Sequence, residues 1–194
     1  MNLFPKRQRG FSLIEISVVL GVAGAVTAGI WAVASSTRDN TQVMQAAQQT
    51  LLLVKNTRDY YSSRALPAAA ISASTHTATL RAARVFPTDM CDDACVSSGD
   101  PKNVYSQAVT VAIPNITPTP INEIEIVYEN MSIKACTALG ARLTANAATD
   151  GLTRFSTDED THTTFPVLPS VLTATCDSGA GNEIDVTLRY RIRT

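Results

Sequence analysis

A single carboxylate stands inside a long apolar segment near the start of the sequence. Residues 11–34 contain one ionisable side chain, Glu15, and no proline. A segment of this length is enough to cross a bilayer as a helix. A carboxylate in such a segment costs roughly 3 kcal/mol even on lenient insertion scales. Glu15 therefore either reaches the lipid headgroups or has a charged partner.

Four cysteines, all beyond residue 90, are the other side chains with distinctive chemistry. The cations Lys6, Arg7 and Arg9 precede the apolar segment, and the positive-inside bias predicts that they stay cytoplasmic while the cysteines are exported. Disulfides are the expected state of exported cysteines, and four cysteines allow three pairings. A zinc site is disfavoured, because neither histidine stands at a ligand spacing from Cys91 and Cys95.

The sequence lacks the motifs of the common catalytic and nucleotide-binding sites. It contains no Gly-x-Ser-x-Gly motif and no glycine-rich phosphate loop. The formal net charge is −1 and becomes −4 without the three cations near the N-terminus, so no basic patch for nucleic acid remains. The acidic stretch at residues 158–160 lacks the ligand spacing of a calcium loop and indicates a solvated turn. We predict no enzymatic activity, cofactor, metal or nucleic-acid partner.

The residues around Gly10 resemble the leader of a type IV prepilin. A short basic leader ends in Gly10, the aromatic Phe11 follows, and Glu15 is the fifth residue after that junction. A secretory signal is cut after its apolar core, whereas a cut between Gly10 and Phe11 would keep the apolar segment in the mature protein. The stretch at residues 11–24 is similar to the type IVb branch, which includes the toxin-coregulated and PilS-like pilins.

The resemblance implies an α+β fold and a set of disulfides. In the type IV pilin fold a long N-terminal helix packs on an antiparallel β-sheet, and a disulfide closes the C-terminal region. On this sequence the closing disulfide would join Cys136 to Cys176, and Cys91 would pair locally with Cys95. A pseudopilin of a type II secretion system typically lacks the closing disulfide, so these cysteines favour a pilin.

The resemblance also implies a division of the chain. Residues 1–10 would be a cleaved leader and residues 11–65 the N-terminal helix, of which residues 11–34 span the membrane before assembly. Residues 66–194 would form the globular head. Sequence alone also allows a membrane-anchored binding domain, in which the leader would stay uncut.

The implied function is that of a major pilin of a type IVb pilus. A prepilin peptidase would cleave after Gly10, a methyltransferase would methylate the amine of Phe11, and Glu15 would pair with that amine on a neighbouring subunit. The precursor would sit in the inner membrane of a Gram-negative bacterium with its head in the periplasm. The inner-membrane assembly machinery would then polymerise it into an extracellular homopolymer for adhesion, aggregation or conjugation. The alternatives are a minor pilin with a tip-adhesin role and a pseudopilin.

Beyond the membrane segment, apolar residues continue to recur at spacings of three and four residues. This spacing predicts a single helix to about residue 63, which ends before Pro67. Its apolar stripe should pack on the head. The apolar positions are Val43, Ala46, Ala47, Thr50, Leu51, Val54 and Tyr61. The polar positions on the opposite face are Gln45, Gln48, Gln49, Asn56 and Asp59.

Alternation of apolar and polar residues predicts strands at residues 121–128 and 184–192. The region from 67 to 120 has a weak pattern and is predicted to be a long connection. The other predicted elements are a helix near 80–84, a strand near 108–113, a helix over 132–147 with Ser132 as its N-cap, and a strand over 171–176.

Overall fold

The computed structural model describes residues 13–91, 101–117, 119–158, 160–177 and 183–193. The chain divides into two compact units, Met1–Thr41 and Gln42–Thr194. Helix α1, Leu13–Ser62, contributes residues to both units. The elements of the second unit confirm the predicted α+β class.

Within the first unit, α1 exposes its apolar side chains. Leu13–Trp31 is long and apolar enough to cross a membrane, and none of this span is buried. A helix suits such an environment because it satisfies its own backbone hydrogen bonds without water. This span falls inside the segment predicted to be transmembrane.

The second unit is built on a five-stranded antiparallel sheet. Its strands are β1 (Val109–Ala112), β2 (Glu123–Ser132), β3 (Leu152–Thr157), β4 (Thr161–His162) and β5 (Glu183–Arg191). Their order in the sheet is β1-β2-β5-β3-β4. Its central strand β5 pairs with β2 on one side and with β3 on the other. Alternate residues of β5 are buried, which is the pattern of a strand with one face on a core.

Helices cover the buried face of this sheet. Helix α3 (Ile133–Ala145) follows β2 directly. Ser132 is its N-cap, as predicted, and the Ser132 hydroxyl accepts a hydrogen bond from the Ala135 amide. A Cβ on Gly140 would lie 2.9 Å from the ring of Phe155, so this glycine lets α3 approach β3 closely. The remaining helices are α2 (Ala73–Ala82), a 3-10 turn (Thr88–Met90), α3 (Ile133–Ala145), α4 (Ala147–Asp150) and α5 (Pro169–Cys176).

The second half of α1 packs on the sheet, but its buried face differs from the predicted one. Leu53 is fully buried although the predicted stripe omitted it, and Leu51 is only half-buried. Gln49, assigned to the polar face, is 5% exposed. Its amide donates to Asp89 at 2.7 Å and its carbonyl oxygen accepts from the Val104 amide at 3.2 Å. Buried polar groups need such partners, and both of these are remote in sequence.

The prediction of a strand at residues 171–176 is wrong, because this segment is helix α5. Pro169 occupies its first turn, where a missing amide hydrogen costs nothing. Leu172, Thr175 and Cys176 are buried at spacings of three and four residues, which is a helical face. The hydroxyl of Thr173 donates to the Pro169 carbonyl four residues earlier, as threonines in helices often do.

Other elements differ from the prediction in length or were not predicted. The helix expected near 80–84 begins much earlier, as α2. Strand β2 continues four residues beyond its predicted end. The predicted connection between residues 67 and 120 also contains a 3-10 turn. Strands β3 and β4, both within the sheet, were not predicted.

Candidate functional site

In the described part of α1, which begins at Leu13, Glu15 lies in the first turn and its side chain is exposed. The neighbouring Leu13 and Ile14 are 87% and 74% exposed. A carboxylate here is favoured by the positive end of the helix dipole but stands among apolar side chains. The described part of the chain places no basic side chain within ion-pair distance of it. Gly10 and Phe11 lie outside the described residues, so cleavage and methylation there stay predictions.

Cys136 on α3 and Cys176 at the end of α5 form a disulfide, with their Cα atoms 5.9 Å apart. Both are fully buried. The bridge closes a loop of 40 residues, which in the chain-entropy model stabilises the fold by about 4 kcal/mol. Cys91 is also disulfide-bonded. Its predicted partner, Cys95, lies outside the described residues, so that pairing stays a prediction.

Arginine contacts join the C-terminal part of α1 to the last strand. Arg58 donates to the Arg191 carbonyl at 2.9 Å and to the Asp150 carbonyl at 2.6 Å. Gly151 has a φ of 76°, a left-handed conformation that favours glycine. A Cβ there would lie 2.5 Å from the guanidinium of Arg58, so the arginine would have to move aside. Sequence reasoning missed this contact, because its partners lie far apart along the chain.

Arg193 binds carbonyl groups at the C-terminal end of α1. Its guanidinium donates to the carbonyls of Tyr61 at 2.9 Å and Arg64 at 2.6 Å. The last turn of α1 contains no basic residue of its own. A cation from the opposite end of the chain therefore complements the negative end of the helix dipole.

Buried polar pairs connect the second half of α1 to the other elements of the second unit. The hydroxyls of Thr50 and Tyr128 are 2.6 Å apart, and burial raises the pKa of Tyr128 to about 12. The Tyr61 hydroxyl lies 2.8 Å from Nε2 of His76. Burial lowers the pKa of His76 to about 4, so this histidine is neutral at physiological pH. Such pairs position α1 because a buried hydroxyl left without a partner is costly.

The second histidine, His162, lies beside the hydroxyl of Thr175, a contact that the sequence did not predict. The geometry of this pair is not catalytic. Nε2 of His162 is 2.7 Å from Oγ1 of Thr175 and 3.5 Å from a carboxylate oxygen of Asp160. In a triad the acid holds the other ring nitrogen, so that the base is oriented and can accept a proton from the nucleophile. The Thr175 hydroxyl also donates to the Val171 carbonyl within α5. The contact fastens α5 to β4. Over the described residues, no cluster of metal-ligating side chains is found either.

Comparison with known proteins agrees with this architecture. The model of the prokaryotic N-terminal methylation motif matches residues 5–31. No curated protein matches the chain. The crystal structure of the type IVb pilin from Salmonella typhi has 19% identity and a TM-score of 0.55, over 75% of this chain and 96% of that one. TcpA, a type IV pilin from Vibrio cholerae El Tor biotype, has 12% identity and a TM-score of 0.48, over 77% of this chain and 98% of that one.

The family assignment rests on the longest match. The family model named PilS N terminal covers residues 32–189, which includes most of the head and much of α1. It thus extends from the apolar helix across the disulfide and into the last strand. Because it covers well over half of the sequence, this chain belongs to the PilS family of type IV pilins.

Proposed function

We propose that this protein is the major subunit of a type IVb pilus. The observation that carries the proposal is the fully exposed span Leu13–Trp31, with Glu15 in its first turn, on a chain whose remaining part is a folded, disulfide-closed head. Apolar surface on this scale is unfavourable in water. It suits lipid in the precursor and neighbouring helices in the fibre.

Glu15 supplies the specificity of assembly. After cleavage between Gly10 and Phe11, the methylated amine of Phe11 is a cation at the start of the helix. In the apolar centre of a fibre this cation needs a hydrogen-bonded anion, because a buried charge without a partner costs several kcal/mol. The carboxylate of an incoming subunit provides that anion and fixes the position of the new helix.

A major pilin needs processing enzymes, an assembly machinery and a route from the membrane to the cell surface. A prepilin peptidase and methyltransferase process the precursor in the inner membrane of a Gram-negative bacterium, where the head is periplasmic. The assembly machinery then transfers the pilin into an extracellular homopolymer that serves adhesion, aggregation or conjugation. The disulfide fits this route, because the periplasm is oxidising.

The N-terminus and abundance of the mature protein test the proposal together. We expect sheared surface material to contain this chain as its main component, with a mass and N-terminal sequence that begin at N-methylated Phe11. Replacing Gly10 with a bulky residue should leave the uncut precursor in the membrane. An intact leader in assembled fibres would refute the processing step, and a trace amount in the fibres would indicate a minor pilin.

A further inference from the structure

The arginines and one set of exposed carboxylates lie toward opposite ends of strands β3 and β5. Residues 154, 189 and 191 are arginines at the end where β3 begins and β5 finishes. We call these three residues the basic end. At the other end, where β3 finishes and β5 begins, exposed carboxylates are present. We call this the acidic end, and it comprises Asp158, Asp160 and Glu183.

The basic end contains an arrangement that is unfavourable in one isolated head. Arg154 and Arg189 stand directly opposite each other on β3 and β5. Like charges in that position destabilise a sheet. Glu125 neutralises one of them, because its carboxylate accepts from Nε of Arg189 at 2.7 Å. Among the described residues, no carboxylate lies within ion-pair distance of Arg154. Arg191 is a further exposed cation nearby, and Glu123 stands opposite it on β2.

The acidic end cannot neutralise these arginines within the same head. Strand β5 runs from Glu183 to Arg191, which places its two ends about 26 Å apart at the usual rise of a strand. Asp158 directly follows the last residue of β3, and Asp160 lies next to β4. Lys134, at the start of α3, is a cation in the same neighbourhood. Among the described residues there, the carboxylates Asp158, Asp160 and Glu183 outnumber this cation.

We propose that the basic end of one head binds the acidic end of the next head in the fibre. This inference rests on the proposed function and names the surface by which heads contact each other. The two surfaces differ, so the contact is heterologous, and its repetition generates an open helical polymer rather than a closed dimer. Complementary charges at such a contact select the orientation and register of the incoming subunit.

A second copy of this chain is a better occupant than another anion. A nucleic acid or an anionic membrane favours a continuous basic surface. Here Glu125 is paired with one arginine, and Glu123 is opposite another. Without the leader cations the formal charge of the chain is −4, compared with −1 for the full sequence, so the head has no net attraction for a polyanion. A local carboxylate cluster on an identical subunit fits better.

Charge reversal at each end, alone and together, tests the contact in the full chain expressed in a strain that lacks the native gene. Arg154→Glu with Arg191→Glu should reduce sheared fibre by about tenfold or more, because like charges across an interface are strongly unfavourable. The total amount of pilin in the cells should stay the same. Arg142→Glu, a charge reversal of the same kind at one exposed position on α3, should leave the fibre yield unchanged.

Asp158→Arg with Asp160→Arg should cause a similar loss, and the chain with both ends reversed should regain most of the fibre. Rescue in that chain excludes misfolding as the cause of the loss. Normal fibre from either single-end reversal, or no rescue in the combined variant, would overturn the proposal. A loss limited to the arginine variant would identify a different anion as the partner. If the unaltered chain forms no fibre, the proposed function itself fails, which is a separate result.

Discussion

The two halves of α1 are parts of one helix, and their apolar side chains have opposite environments. In Leu13–Trp31 no part of the span is buried. Farther along, Ala46, Leu53 and Val54 are at most 1% exposed, because the sheet and its loops cover them. Both halves are helical, so the helix itself does not explain the difference. What differs is whether this chain supplies a covering surface, and under the proposed function lipid or neighbouring helices cover the first half.

Side chains of the second half act in folding, and under the proposed function those of the first half act between molecules. The second half of the helix is also fixed by polar contacts, such as the pair of Thr50 and Tyr128 and the guanidinium of Arg58. In the first half, the hydroxyls of Ser17 and Thr27 donate to carbonyls of their own helix. Substitutions in the first half should therefore affect assembly, and those in the second half should affect the stability of the head.

The largest expected effect is the loss of fibre in Glu15→Gln. Glutamine keeps the shape of the side chain and removes its charge, so the methylated amine of Phe11 would be buried without an anion, at a cost of about 3 to 5 kcal/mol per subunit. Membrane-held pilin should stay abundant, because insertion becomes slightly easier without a carboxylate. The measurement compares pilin in the membrane fraction with pilin in sheared fibre.

Glu15→Asp makes the same test more specific. Its carboxylate keeps the charge but is one methylene shorter, so we expect poor rather than normal assembly. If the unaltered chain, Glu15→Gln and Glu15→Asp share the same thermal unfolding midpoint of the head, the loss of fibre does not arise from a change in folding. Normal fibre yield from Glu15→Gln would show that the carboxylate only reaches the headgroups.

Two adjacent leucines give a matched test of the second half. Leu53 is fully buried, and Leu52 is 48% exposed on the same turn of α1. Leu53→Ala should lower the free energy of unfolding by about 3 kcal/mol, since it removes buried methyl groups and leaves a cavity. Leu52→Ala should change it by less than about 0.5 kcal/mol. Denaturant unfolding of the purified protein measures both, and equal losses would contradict the burial seen in the structure.

Sequence patterns succeeded where one face of an element is apolar over its whole length. Strands β2 and β5 alternate regularly, and both were predicted near their observed positions. Strand β3 was missed because a bulge between Leu152 and Arg154 breaks the alternation. Its buried residues, Leu152 and Phe155, are consequently three apart rather than two or four, and no period-two pattern remains.

Errors also arose where distant contacts override local preference. Segment 171–176 alternates apolar and β-branched residues like a strand, but its tertiary contacts select a helix. Gln49 is polar and yet buried, because Asp89 and Val104 supply its hydrogen bonds from 40 and 55 residues away. No local pattern predicts such partners. The same limit applies to the sheet ends, whose charges come together only through the strand register.

The smallest expected effect is a pH dependence at His76, close to the end of the folded half of α1. Burial lowers its pKa to about 4, against 6.5 in an unfolded chain, so as pH falls below 6.5 the unfolded state takes up a proton that the native state does not. Stability should therefore decline from about pH 6.5 down to about pH 4, by about 1 kcal/mol between pH 7 and pH 5.5.

His76→Gln cannot titrate and should lose that part of the slope of stability against pH, while His162→Gln should retain it. Unfolding midpoints of the three chains over this pH range measure the difference. An unchanged slope in His76→Gln would show that the buried pair of His76 and Tyr61 does not control the acid sensitivity of the head.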